Sequence, residues 1–164
     1  MADWRELNTL PQEDLSKVKY NDPRLDSFAN AVEERYGLPK DLLVAVKNAG
    51  ERSNTGQVSS AGAKGVMQFI DKTRKNYEHD VNDPMASIDA AGRMFKDLLV
   101  MYKDNALAAI AHYNGGRANG KAMMNGEPLP SQKETAPYIK RIQDYMKKRS
   151  AQQATPSNSF QAMY

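Results

Sequence analysis

The spacing of the apolar residues constrains the fold of this chain more than any other feature. In several segments apolar side chains recur with the helical period of about 3.6 residues, and no segment shows a convincing alternation of period two. Asp22-Pro23 and Asp83-Pro84 each combine a capping carboxylate with a proline at the first helical position. The sequence therefore predicts a mainly α fold, in which residues 52–65 form an irregular loop or a small β-ribbon.

The start and stop signals also place the individual elements. Helices are expected over residues 22–37, 38–50, 83–102, 105–114 and 135–148. Gly, Ser, Asn and Pro are frequent in 52–65 and in 115–132, and both segments are predicted as loops. Glu51 therefore comes at the end of a buried helix and immediately before a long loop.

The length and composition favour a single folded unit. A chain of 164 residues, 40% of them hydrophobic, can build one core and hardly two. We predict an N-terminal segment at 1–20, one domain at 21–149 and a flexible C-terminal tail at 150–164, where the sequence is polar and aperiodic. The longest apolar run, 106–111, is far short of the roughly 20 residues that span a bilayer, so no membrane insertion is expected.

The composition excludes several kinds of chemistry. Cysteine is absent, which excludes disulfides, thiolate metal sites and thiol nucleophiles. The two histidines, His79 and His112, have no partner at metal-ligand spacing, so neither a metal nor an organic cofactor is expected. The net charge of +3 is spread too thinly to predict a nucleic-acid partner. The most basic segment, 140–149, is better interpreted as a solvated helix face than as a binding patch.

Glu51 is the strongest candidate for a catalytic residue. A carboxyl at the end of an apolar helix beside a cleft can be partly desolvated, which raises its pKa toward the range of a general acid. The alternative is a capping or surface glutamate, which is the common case. Two later segments favour the catalytic interpretation: 65–69 supplies a glycine, an apolar wall and an amide, and 111–115 supplies an aromatic hydroxyl and an amide. These are the parts of a sugar-binding site.

Four segments resemble the successive motifs of the soluble-lytic-transglycosylase family, which is related to goose-type lysozyme. They are residues 42–51, 59–68, 106–116 and 134–141, and the resemblance covers about residues 25–146. The resemblance implies an α-helical, lysozyme-like fold. It also implies cleavage of the β-1,4 bond between N-acetylmuramic acid and N-acetylglucosamine in peptidoglycan, with a 1,6-anhydromuramic end formed without water.

The same resemblance implies a role for individual residues. Glu51 would be the single catalytic acid and base, and the acetamide of the substrate would stabilise the cationic centre in place of a second carboxylate. Met67 would help to shield Glu51 from solvent, Gln68 and Asn114 would hold the sugar and its N-acetyl group, and Tyr113 and Tyr138 would orient the carboxyl and the substrate. For the two tyrosines, packing in the core with a satisfied hydroxyl is an equally good interpretation.

The sequence departs from the family pattern after the glutamate. Arg52 stands where the family usually has serine, and Ser53, one position later, is the candidate for the missing contact. Two alternatives therefore stay open. One is a muramidase that hydrolyses the same bond with a water activated by a second carboxylate, Asp71 or Glu78. The other is a catalytically inactive peptidoglycan-binding protein of a virion.

The protein is expected to act at a bacterial cell wall and to be delivered there by other machinery. Residues 1–6 show no basic region followed by an apolar one, so no secretory signal is predicted. We therefore expect a bacteriophage protein that acts in the host periplasm at the cell wall, either carried in the virion to open the wall locally during infection or released at lysis. A secretion-system accessory is the second possibility, and other virion or secretion proteins are possible partners beside the glycan strands.

Overall fold

A computed structural model describes residues 15–162, with side chains through residue 153. The described part is built from α-helices and one π-helical segment and contains no β-strand, so the predicted mainly α, lysozyme-like fold is confirmed. The helices are α1 (Pro23–Tyr36), α2 (Leu42–Ala45), the π segment (Val46–Glu51), α3 (Asp71–Arg74), α4 (Pro84–Met101), α5 (Ala106–Gly115), α6 (Arg117–Asn125) and α7 (Thr135–Ala162). In place of a ribbon, the loop after the π segment has two isolated bridges, Val58 with Lys64 and Lys64 with Phe69.

Helix α1 begins and ends where the sequence predicts. The Asp22 side chain accepts a hydrogen bond from the Arg24 amide at 2.9 Å, and Gly37 ends the helix with a φ of 67°. The apolar side chains that α1 buries share one face of the helix: Leu25, Phe28, Ala29 and Val32.

Helix α4 packs against α1, α2 and α5, while α7 packs against the π segment, α2 and α5. No helix within residues 15–162 is long and apolar enough to cross a membrane.

A buried carboxylate of α1 caps α2. Glu33 is only 2% exposed, and its carboxylate accepts hydrogen bonds from the backbone amides of Asp41 and Leu43, each at 2.8 Å. Burial raises the pKa of Glu33 although these donors favour its charged form. Asp41, which the sequence suggests as part of the helix start, makes no capping bond and has a φ of 69°. The cap therefore comes from a neighbouring helix and fixes how α1 and α2 meet.

A second polar network joins α1, the π segment and α7. The fully buried Lys47 ammonium donates to Asp26 Oδ1 at 2.7 Å, to Asn48 Oδ1 at 2.6 Å and to the Tyr20 carbonyl. The Asn48 amide then donates to Asp26 at 3.0 Å and to the Tyr145 hydroxyl at 2.9 Å. A charge buried this deeply is tolerated only with such partners, so the network restricts how α7 docks.

The prediction of a loop over residues 115–132 is wrong for its first half, because residues 117–125 form α6. Apart from Asn119 and Gly120, the residues before its last position are mostly good helix formers. Gly120 is one of the residues on which the loop prediction depends, but its role is packing: a Cβ atom there would lie 2.1 Å from the Tyr102 hydroxyl. The glycine therefore allows α6 to approach the end of α4.

Helix α7 extends further than the sequence predicts. It starts at Thr135 as predicted and continues through Ala162, into the segment 150–164 for which a flexible tail is predicted. Alanine and glutamine, frequent at 151–154, have high helix propensity, and a polar composition argues only against a buried helix. The basic segment 140–149 is not simply a solvated face, because Arg149 Nε donates to Asp41 Oδ1 at 2.8 Å.

Candidate active site

Glu51 is the last residue of the π segment that continues α2. The Arg52 amide bonds back to the Lys47 carbonyl at 3.0 Å, and Arg52 then leaves the helix with a φ of 53°, a conformation uncommon for a residue other than glycine. A π-helical turn is rare and is frequently found at functional sites. The widened turn therefore determines the direction in which Glu51 leaves the helix.

The surroundings of the Glu51 carboxyl suit a general acid. The side chain is half-buried, and the Tyr138 hydroxyl donates a hydrogen bond to its Oε2. Burial is the main cause that raises the pKa of Glu51 to about 7; the Tyr138 hydrogen bond and the charge of Arg141 oppose the rise, and Glu134 adds to it. A carboxyl with this pKa holds a proton near neutral pH and can also accept one.

Helix α7 holds the end of the π segment in place. Gly50 lies against the Tyr138 ring, and a Cβ atom on Gly50 would be 2.8 Å from the ring carbon Cζ. The Arg141 guanidinium donates to the carbonyls of Ala49 at 2.9 Å and of Gly50 at 3.1 Å. Arg141 therefore satisfies carbonyl groups at the end of the π segment while Tyr138 contacts the carboxyl of its last residue.

Tyr113, at the end of α5, faces Glu51 across the site. Its hydroxyl donates to the Met67 carbonyl at 2.6 Å, and its ring stacks on Phe95 with centroids 4.8 Å apart. Burial, with a smaller contribution from the Glu51 charge, raises the pKa of Tyr113 well above its usual value. Burial and Glu51 do the same for the pKa of Tyr138. Both phenols therefore stay protonated and act as hydrogen-bond donors.

Two amide side chains are oriented by hydrogen bonds to the protein. Gln68, with a φ of 51°, donates from Nε2 to the Gly65 carbonyl at 2.7 Å, which leaves its Oε1 for a ligand. The Thr135 hydroxyl donates to Asn114 Oδ1 at 2.8 Å, which leaves the Nδ2 amide of Asn114 as a donor. Together the two residues present one acceptor and one donor.

These groups border a cleft of about 250 Å³. Among the predicted site residues, Glu51, Gln68, Tyr113 and Asn114 line it, beside apolar side chains that include Phe69, Ile70 and Met94. The other three predicted residues lie behind the lining. Met67 is fully buried in the core, Tyr138 reaches the site through its hydroxyl, and Ser53 donates to the Glu51 carbonyl at 3.0 Å rather than to the carboxyl.

Comparison with known protein families agrees with this arrangement. The sequence model of the transglycosylase SLT domain matches residues 27–134, about two thirds of the chain. The chain belongs to this family. SLT domains are lytic transglycosylases that act on peptidoglycan, so the protein is an enzyme of that class. The matched region contains the whole cleft lining and ends just before Tyr138.

The second carboxylate in the cleft of this SLT enzyme is Glu134, which begins the fourth family-like segment but for which the sequence predicts no role. Asp71 and Glu78, proposed as partners for hydrolysis, are exposed and are not part of the cleft lining, and the Asp71 carboxylate lies 3.5 Å from the Lys64 ammonium. Glu134 lines the cleft and contributes to the raised pKa of Glu51. Its position four residues before Tyr138 is the signal that would have found it, because such residues share one helix face.

Arg141 is the other residue of the site whose role the sequence does not predict, although it ends the fourth family-like segment, because its charge is counted with a solvated basic face. Its guanidinium lies 5.7 Å from the centroid of the Tyr138 ring, within the range of a cation–π contact. The sequence shows its charge but not that its partners are backbone carbonyls. Within the described residues, no group of three or more His, Asp or Glu side chains is arranged to hold a metal ion.

Proposed function

We propose that this SLT enzyme cleaves the β-1,4 bond between N-acetylmuramic acid and N-acetylglucosamine and leaves a 1,6-anhydromuramic end. The observation that carries the proposal is the Glu51 carboxyl, half-buried at the cleft, hydrogen-bonded by Tyr138 and with its pKa raised to about 7. One group with such a pKa can serve as the acid and then as the base of the reaction.

In the first step Glu51 gives its proton to the glycosidic oxygen. The bond from that oxygen to C1 of the muramic acid breaks, and positive charge develops at C1. The acetamide oxygen of the same sugar stabilises this charge, so no second carboxylate is needed. The N-acetylglucosamine side leaves with the proton as a free hydroxyl.

In the second step the Glu51 carboxylate removes the proton of the C6 hydroxyl. The C6 oxygen then forms a bond to C1, which closes the anhydro ring and restores the protonated carboxyl. Proton transfer of this kind contributes typically ~10²–10⁴-fold to the rate. No water is consumed, so the two products together have the mass of the substrate.

Gln68 and Asn114 complement the N-acetyl group in this proposal. The free Nδ2 of Asn114 can donate to the acetamide carbonyl, and the free Oε1 of Gln68 can accept from the acetamide N–H. The other ends of both side chains are bound to Thr135 and Gly65, so they are oriented before the sugar arrives. The apolar side chains Phe69 and Met94 of the lining offer a surface for a sugar ring.

The test is mass spectrometry of the fragments that the enzyme releases from purified sacculi. We expect fragments lighter than the hydrolytic ones by one water, about 18 Da. Glu51→Gln should abolish their release, whereas the exposed Glu78→Gln should leave it unchanged. Release of only reducing muramic ends would contradict the proposal. Binding to sacculi with no release of fragments would contradict it as well.

Hydrolysis is the second candidate, and the position of Glu134 in the cleft is the observation that favours it. A muramidase needs a carboxylate that activates water on the face opposite the acid. If this reaction operates, reducing ends appear and Glu134→Gln abolishes them. If transglycosylation operates, Glu134→Gln keeps the anhydro product and changes only its pH dependence.

We also propose that the enzyme opens the wall locally for a bacteriophage, during infection or at lysis. The substrate supports this setting, since a phage must pass peptidoglycan at both stages. Proteomic analysis of purified virions tests it: peptides of this chain in the particles indicate use during infection, and peptides only in the lysate indicate use at lysis. Detection of this chain in a complex with a secretion apparatus would contradict the phage setting and support a secretion-system accessory instead.

A further inference from the structure

A second cavity, of about 350 Å³, lies outside the active site between the end of α4 and α6. Its lining consists of Met101, Tyr102, Arg117, Lys121, Met124 and Asn125. None of these residues borders the catalytic cleft, and the mechanism above uses none of them.

The apolar part of this cavity is unusually exposed. Met101 is 47% and Met124 is 37% exposed, and Val100, next to Met101 in the chain, is 76% exposed. The remaining large hydrophobic residues exposed in the described part are Val58 and Ile70, and Ile70 lines the active-site cleft. Unbranched methionine side chains adapt to varied partner surfaces, so the patch fits another protein better than a rigid small molecule.

The polar part of the cavity is positive. Arg117 and Lys121 are four residues apart on α6 and therefore share one face of the helix. Neither forms an ion pair within residues 15–162, and no acidic side chain lines the cavity. By contrast, Arg149 of α7 is held by Asp41 at 2.8 Å. The cavity thus offers two uncompensated cations beside exposed thioethers.

We propose that this cavity is a docking site for a partner protein, and that it takes a segment carrying apolar side chains flanked by Asp or Glu. The apolar side chains would cover Met101 and Met124, and the carboxylates would pair with Arg117 and Lys121. The peptides of the cell wall also carry carboxylates, but they offer little apolar surface to cover the methionines. The observations therefore favour a protein segment over the wall.

The His112 side chain, which is paired with Tyr102, can report when a ligand binds to Arg117. The Tyr102 hydroxyl lies 2.6 Å from His112 Nδ1, and Arg117 adds to the effect of burial in lowering the pKa of His112. A carboxylate bound to Arg117 offsets this charge, so the pKa of His112 should rise. His79, whose pKa is lowered by burial and by Arg93 and Arg74, lies elsewhere and serves as the internal control.

The experiment is an NMR titration of the full chain with short synthetic peptides of Leu and Glu, one with helical and one with alternating spacing. We expect at least one of them to shift the His112 signals at concentrations below about 1 mM, while the His79 signals stay unchanged. Replacing Glu by Gln or Leu by Ser in the active peptide should remove the shift. The proposal is overturned if neither peptide shifts His112, or if soluble wall peptides without glycan shift it more strongly.

Variants then test the assignment of the binding residues. The double variant Arg117→Gln/Lys121→Gln should weaken peptide binding by about tenfold or more, since each factor of ten corresponds to the loss of about one good charge pair. Lys148→Gln, an exposed cation on α7, is the matched control and should bind as the parent does. Equal affinity of the parent and the double variant overturns the proposal. Release of fragments from sacculi should be unchanged in all variants, which keeps this test separate from the proposed reaction.

Discussion

At the scale of single residues, the pKa of Glu51 results from burial and from neighbouring groups that have opposite effects on it. Burial and the carboxylate of Glu134 raise it, whereas the Tyr138 hydroxyl and the Arg141 charge lower it. The balance gives about 7, which suits the proposed role of Glu51 as the group that gives up one proton and then accepts another. Substitutions on the two sides of this balance should therefore shift the pH dependence in opposite directions.

We expect kcat/KM to fall as the pH rises through about 7, because the free enzyme then loses the proton of Glu51. Tyr138→Phe removes a donor to the carboxylate and should move this fall to higher pH. Glu134→Gln removes a neighbouring negative charge and should move it to lower pH. The rate at which a sacculus suspension clears, followed across the pH range, measures this fall for the parent and for both variants. Shifts of the two variants in the same direction would contradict the opposite effects of Tyr138 and Glu134 on the pKa of Glu51.

The raised pKa of Glu51 also predicts how stability depends on pH. Because the fold prefers the neutral carboxyl, stability present below pH 4.5 is lost as the pH rises from 4.5 to about 7. Glutamine does not titrate, so Glu51→Gln should be more stable than the parent above pH 7, by about 3 kcal/mol, and equally stable at pH 4. Denaturant unfolding at the two pH values measures the difference. A difference that is independent of pH would argue against a buried, titrating Glu51.

At the scale of elements, the turn that carries Glu51 is a π segment whose end is bound to α7. Arg141 and Tyr138, one turn apart on α7, contact the carbonyls and the carboxyl at that end. Gly50 makes the close approach possible, since its missing Cβ leaves room for the Tyr138 ring. The π segment and α7 therefore act as one unit.

Arg141→Met should destabilise the fold by about 1–3 kcal/mol, because the carbonyls of Ala49 and Gly50 lose their donors. It should also raise the pKa of Glu51 and move the fall in kcat/KM to higher pH. Lys140→Met is the matched control: Lys140 is exposed, lies 3.5 Å from Asp144, and should contribute little. Equal effects of the two substitutions would show that only net charge matters.

Gly50→Ala should reduce both stability and activity. The added Cβ would come within 2.8 Å of a ring that is only 2% exposed and has no room to move away. Overpacking of this kind costs about 1–3 kcal/mol, and the displaced Tyr138 should no longer hold the Glu51 carboxyl. Thermal unfolding and fragment release should therefore decline together. A stable, fully active variant would show that the contact is not needed.

At the scale of the whole molecule, two buried polar networks determine how the helices around the site dock. Glu33 caps α2 from α1, and Lys47 connects α1, the π segment and α7 through Asp26 and Asn48. The Glu33 network caps the helix that leads into the π segment, and the Lys47 network includes two residues of that segment. The position of Glu51 therefore depends on buried charges that do not line the cleft.

Lys47→Met should destabilise the protein by about 3–5 kcal/mol, because it leaves the Asp26 carboxylate without its cation. The double variant Lys47→Met/Asp26→Asn should recover much of this loss, since no unpaired charge remains. Denaturant unfolding of the parent, both single variants and the double variant gives the coupling energy of the pair. Additive losses in the free energy of unfolding would show that Lys47 and Asp26 contribute to stability independently of each other.

The sequence by itself determined the helices with local start and stop signals and the identity of the catalytic candidate. Asp22-Pro23, Asp83-Pro84 and Asn105 act on the amides of the next few residues, so their effect can be read from neighbours in the chain. The family resemblance located Glu51 and the four segments that contribute most of the residues lining the cleft.

Only the tertiary structure decided the features that depend on residues distant in sequence. The cap of α2 comes from Glu33, the helix at 117–125 is allowed by a close contact of Gly120 with Tyr102, and Glu134 reaches the cleft when α7 docks. The raised pKa of Glu51 belongs to this group too, because burial is its main cause. Local pattern sets which segments form helices, whereas desolvation and long-range contacts exist only once those helices have packed together.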